Sequence, residues 1–123
     1  MNLQITQSEW IIMERLWEDP PKTLMELKRE LEQETGWAKS TVATMLTRML
    51  DKGIIRYETD GKTKQFYPAV TRQEVTMAET DSMLERLYHG SVGMMVSTLV
   101  DNKKLSRQEI EELLNILQEA GEQ

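Results

Sequence analysis

The chain has no cysteine and a single histidine, His89. The first absence excludes disulfide bridges and thiolate metal sites, and fits a reducing compartment. With one histidine there is no His-Glu-x-x-His run, and no glycine-rich loop is present to cradle phosphate. The sequence therefore reads as a non-enzyme that needs no metal and no cofactor. Nowhere do eighteen apolar residues follow one another, and the start, Met1 to Thr6, has no basic segment leading into an apolar one. The expectation is a soluble, unexported, cytoplasmic protein with no membrane partner. Proline is scarce as well, confined to Pro20-Pro21 and Pro68, so helices run uninterrupted between those points.

What is present is a globular composition, 39% hydrophobic and 29% charged over 123 residues. That suffices for one domain, or for a small domain with an appendage that needs a partner to cover its apolar face. The net charge of −6 hides a pattern. Residues 1–36 carry four Lys/Arg against eight Asp/Glu, residues 37–72 carry seven against three, and residues 73–123 carry four against ten. One central basic segment in an acidic chain can still bind phosphate locally.

Four Ser/Thr-x-x-Glu boxes mark helix starts: Thr6 with Glu9, Thr23 with Glu26, Thr71 with Glu74, and Ser106 with Glu109. The first helix is expected over residues 7–18, with Trp10, Ile11, Met13 and Trp17 at helical spacing, and the second over 24–35 with Leu24, Leu27 and Leu31 on one face. A third, over 38–52, turns Val42, Leu46, Met49 and Leu50 inward and closes at Gly53. Two β-rich runs flank Asp60-Gly61, with Arg56 before the turn and Lys62 and Lys64 just past it, and read as a hairpin. After Pro68 the composition turns acidic and helical, over residues 72–88, about 92–100, and from the Ser106 cap to Ala120-Gly121. The expected architecture is mainly α with a small β-hairpin wing: a winged helix-turn-helix head over residues 1–70 and a three-helix dimerisation tail over 71–123.

The outward face of the third helix carries Ser40, Thr41, Thr44, Thr47 and Arg48, short hydroxyls beside one guanidinium, where a solvated face favours Glu and Lys. In a helix-turn-helix this element enters the major groove of duplex DNA. Thr41 and Thr44 suit base edges, and Arg48 suits guanine or phosphate. Lys39 and the helix N-terminus suit phosphate, as do Lys62 and Lys64 on the wing. Singly, each of these residues reads as solvated surface; with the charge pattern and element order they point to nucleic acid. His89 reads as a helix-end residue. Met13, Met45, Met49, Met77, Met83 and Met95 read as packing, and the Met94-Met95 pair as interface filler. In the tail, Leu84, Leu87, Val92, Met95, Val96, Leu99, Ile110, Leu113, Leu114 and Leu117 are the candidate dimer contacts, with two-fold symmetry as the default. The competing reading is a winged-helix module that binds another protein and not DNA.

These residues resemble the BlaI/MecI/CopY penicillinase-repressor family over nearly the whole chain. The matching features are Glu9-Trp10 and Trp17, Trp37, the Thr41, Thr44, Thr47-Arg48 pattern followed by Lys52-Gly53, then Gly61-Lys62, Tyr67-Pro68 and Leu105-Ser106-x-x-Glu109-Ile110-x-x-Leu113. The resemblance implies a homodimeric repressor on a dyad-symmetric operator, with Thr41, Thr44 and Arg48 as recognition contacts. It also implies an inducer or sensor, whose identity this sequence does not specify. Where the family often has Ser-Pro-Lys after the tryptophan, this chain has Ala38-Lys39-Ser40. Where the β-lactamase repressors have a cleavable Asn-Phe bond it has Thr98-Leu99, and it lacks the Cys-x-Cys pairs of the copper-responsive branch.

Overall fold

The computed structural model describes residues 3–122. The order of elements is α1 (Gln7–Glu18), α2 (Leu24–Thr35), α3 (Lys39–Lys52), β1 (Ile55–Asp60), β2 (Thr63–Pro68), α4 (Arg72–Tyr88), α5 (Val92–Asp101) and α6 (Arg107–Gly121). All four Ser/Thr-x-x-Glu boxes close. At α1 the Glu9 amide donates to Thr6 Oγ1 at 3.1 Å while Glu9 Oε1 accepts from the Thr6 amide at 2.8 Å. The same exchange opens α2, α4 and α6. Ser91 caps α5 by accepting from the Met94 amide, so the helix starts at Val92 as expected, although its cap is not a box because Met94 stands where a box has glutamate. At the other end of α3, Gly53 takes φ of 79°, a left-handed cap that only glycine adopts freely.

The chain divides into two compact units, one up to Thr80 and one from Asp81, the division falling within the sequence of α4. In the first, one apolar core gathers Ile12, Met13 and Leu16 of α1, Leu27 and Leu31 of α2, Val42, Leu46 and Met49 of α3, with Ile54, Ile55, Phe66, Val70 and Val75. Truncating one of these leucines to alanine costs roughly 2–5 kcal/mol. Of the α1 residues at helical spacing, Met13 is buried while the others pack against the core from its edge. Trp10, Ile11 and Trp17 lie half-buried at the margin, and for the two tryptophans an indole N–H needs a partner. Trp10 Nε1 donates to Glu14 at 2.7 Å and Trp17 Nε1 to the Val70 carbonyl at 2.9 Å, and the two rings meet edge to face at 5.4 Å.

The hairpin pairs Asp60 with Thr63, so its two-residue turn is Gly61-Lys62. Asp60 is the last paired residue, and Lys62 sits in the turn itself rather than past it. Gly61 supplies the positive φ, 67°, that the first central position of such a turn demands. Lys22 adds an isolated antiparallel bridge to the hairpin, its backbone exchanging hydrogen bonds with Phe66 at 2.8 and 3.1 Å. The Lys22 ammonium, largely covered, is held by Glu30 at 2.8 Å and Asp19 at 3.3 Å. Those carboxylates, Glu30 first, raise its pKa above the ordinary lysine value. Three helices and this hairpin form the winged helix-turn-helix head.

In the second unit no described side chain of α5 or α6 is buried. Leu87, Val92, Leu114 and Leu117 are each more than half exposed, Ile110 is exposed at 39%, and Leu84, Met95, Val96, Leu99 and Leu113 are half-buried. Of the methionines read as packing, Met13 and Met49 are buried and Met45, Met83 and Met95 half-buried. Met77, at 59% exposed, does not join the core, since the face of α4 that packs on the head is centred on Val75. No described helix is long and apolar enough to cross a membrane.

Candidate nucleic-acid interface

Packing Val42, Leu46 and Met49 inward leaves the opposite side of α3 outward. Ser40, Thr41, Thr44, Thr47 and Arg48 are all exposed there. Ser40, Thr41, Thr44 and Arg48 line a shallow groove of about 260 Å³ with Met45. Thr47 lies on the same side, but its hydroxyl donates to the Ala43 carbonyl at 3.1 Å, which leaves a methyl and a lone pair for any partner.

The start of α3 differs from those of the other described helices. Its N-cap is Ala38, which has no side chain able to accept, so the amides of Lys39, Ser40 and Thr41 point outward without a partner among the described residues. An uncapped helix N-terminus concentrates partial positive charge and free donors. Beside it, Lys39 lines a groove of about 540 Å³ with Lys62 and Lys64 of the wing. The fold thus brings together three lysines that lie up to twenty-five positions apart in sequence. Thr23, Leu24 and Met25 at the start of α2 form the other wall, and Met25 is 45% exposed there. Sequence reasoning passed over Met25; the available signal was its position off the Leu24, Leu27, Leu31 stripe.

The seven basic residues of the central segment divide sharply. Lys52 is held by buried Glu9 at 2.6 Å and by the Gln4 carbonyl at 3.2 Å. Burial by itself would raise the Glu9 carboxyl, but the Lys52 ammonium and the Thr6 amide outweigh it, and its pKa falls below the ordinary value. Arg72 forks onto Glu14 with two bonds of 2.7 Å. That fork lowers the Glu14 pKa and raises that of Arg72. Arg56 pairs with Glu58 at 3.2 Å and lies 4.2 Å over the Tyr67 ring. Lys39, Arg48, Lys62 and Lys64 form no ion pair among the described residues. Lys64 rests 4.6 Å over the Tyr57 ring, a position that leaves its charge uncompensated. Asp51 shares a third groove, about 680 Å³, with Arg48, Thr41, Trp37 and Met45. Among the described residues no three acidic or imidazole side chains gather as a metal site would require.

Residues 5–119 match the family described as penicillinase repressor. The penicillinase repressor of Bacillus licheniformis is 30% identical over 116 residues, covering 94% of this chain and 91% of its own length. The methicillin resistance regulatory protein MecI of Mammaliicoccus sciuri is 29% identical over 114 residues, 93% of each chain. Among solved structures, the monomeric form of Bacillus licheniformis BlaI in complex with the blaP half-operator is similar with a TM-score of 0.51 at 25% identity. That match spans 58% of this chain and 87% of the other. With nearly the whole length matched and the winged head in place, the chain belongs to the penicillinase-repressor family.

Proposed function

We propose that this protein represses transcription in the cytoplasm by binding a dyad-symmetric duplex operator as a homodimer. The observation that carries the reading is the outward surface of α3 and the wing. An uncapped helix start and four cations that form no ion pair among the described residues surround a row of short hydroxyls. A major-groove reader needs that combination: phosphate contacts to position it, and short polar side chains near base edges to specify sequence. Thr41 and Thr44 face the bases, Ser40 and Thr47 flank them, and Arg48 reaches guanine or phosphate. Lys39, Lys62 and Lys64 neutralise the adjoining backbone, as the charge grouping in their shared groove supports.

The tail supports the homodimer. Helices α5 and α6 expose Val92, Ile110, Leu114 and Leu117 with no described side chain of either helix buried, more apolar surface than a solvated helix pair retains. A second copy is the simplest cover, and two-fold symmetry then matches a dyad operator. Residues 1–70 serve as the DNA-binding head and 71–123 as the dimerisation tail.

The test is a gel shift of the purified protein on the DNA upstream of its own coding region, with unrelated duplex as competitor. A shift that survives competitor supports a sequence-specific repressor. A folded dimer that shifts no duplex at low salt would overturn it in favour of a winged-helix module that binds protein.

A further inference from the structure

Three side chains along one face of α4 fasten its first two turns to the head. Arg72 makes the fork with Glu14 of α1, and its guanidinium lies 4.9 Å from the Trp17 ring. Trp17 in turn donates to the carbonyl of Val70, two residues before the helix begins. Glu14 is itself oriented by the Trp10 indole at 2.7 Å. Val75 is fully buried in the core of the head. Glu79 then reaches the segment before α1 and accepts from the Ile5 amide at 3.0 Å. Positions 72, 75 and 79 follow the i, i+3, i+7 spacing of one helix face and span about 10 Å of its axis.

A single fastening would leave the helix free to pivot about Val75. Contacts on both sides of that point fix its direction. The Arg72–Glu14 fork is half exposed, so it adds little to the stability of the head; its effect is on geometry. Helix α4 continues unbroken from the head to Tyr88. In a dimer joined beyond that point, the direction in which each α4 leaves its head determines where the second head can land.

We propose that Arg72 and Glu79 are positioning residues that hold α4 in one direction on each head and thereby set the spacing between the operator half-sites. This rests on the homodimeric operator reading above. Adding one base pair between half-sites rotates one against the other by about 34° and moves it about 3.4 Å. A fixed α4 tolerates no such change, whereas a pivoting one absorbs it.

The experiment first selects a half-site from a randomised duplex pool with the wild-type protein. It then places two copies as inverted repeats whose separation is varied one base pair at a time. Wild type should favour one separation by roughly tenfold over its neighbours, within the range a mismatch costs. The Arg72→Ala/Glu79→Ala variant should bind a single half-site within about twofold of wild type yet spread its preference over several separations. A variant with the same sharp preference as wild type would overturn the proposal. So would loss of single half-site binding or of the dimer on gel filtration, since either would make the two residues structural. If no half-site is enriched by the wild type, the operator reading itself fails, an outcome distinct from all of these.

Discussion

The salt dependence of operator binding follows from which cations the fold leaves available. Each phosphate neutralised contributes about −0.9 to the slope of log K against log salt on duplex DNA. Counting every basic residue of the central segment, a dimer would bring fourteen and give a slope near −13. Three per chain are engaged elsewhere: Lys52 by Glu9, Arg72 by Glu14, and Arg56 by Glu58. Lys39, Arg48, Lys62 and Lys64 remain, eight per dimer, for a slope near −7, or about four orders of magnitude in affinity between 50 and 200 mM salt. Fluorescence anisotropy of a labelled operator duplex at several salt concentrations reads the slope directly. Lys62→Ala should make it shallower by about two, because each head then neutralises one phosphate fewer, and Lys52→Ala should leave it unchanged. A wild-type slope near −13, or a Lys52→Ala slope as shallow as that of Lys62→Ala, would refute the division between engaged and available cations.

Arg48→Ala should weaken operator binding by about 1–3 kcal/mol without altering the thermal midpoint; anisotropy and a melting curve check both, and wild-type affinity would remove Arg48 from the interface. Leu113→Asp places a charge on the apolar face of α6, so the protein should elute as a monomer on gel filtration and bind the full operator far more weakly; an unchanged elution volume would contradict the tail assignment. Glu9, buried and lowered in pKa by Lys52, contributes stability that is complete above its ordinary value of 4.5 and is lost as pH falls through the lowered one. Thermal midpoints followed below pH 4.5 should therefore converge for wild type and Glu9→Gln, and curves that stay parallel would show that Glu9 does not report on the fold.

The features legible in the sequence are those whose chemistry is local. A Ser/Thr hydroxyl and a glutamate three residues on satisfy each other wherever a helix begins, so each box located a start to within a residue. The row of hydroxyls on α3 stood out because it departs from what helix propensity alone selects. Pairs distant in the chain were not legible. Lys52 and Glu9 lie 43 positions apart and Arg72 and Glu14 lie 58 apart, and nothing in the pattern distinguishes these cations from Lys62 or Arg48. Helical spacing marks Trp10 and Trp17 of α1 but does not register the need of an indole N–H for Glu14 or a backbone carbonyl, which keeps both rings at the margin of the core. Reading Asp60-Gly61 as the centre of the turn misplaced Lys62 by one step, since Asp60 still pairs with Thr63. Met77 shows the limit of spacing in another way, for a residue two positions from buried Val75 faces outward on a helix.

The most direct test of an operator-binding repressor built on α3 is a hydroxyl-radical footprint of the purified protein on the duplex that it shifts. The predicted result is two protected patches related by a dyad, their centres separated by one or two helical turns of about 34 Å each, both abolished in a Thr41→Ala/Thr44→Ala/Arg48→Ala variant that keeps its fold. Uniform protection along the duplex, or the same two patches with that variant, would contradict it.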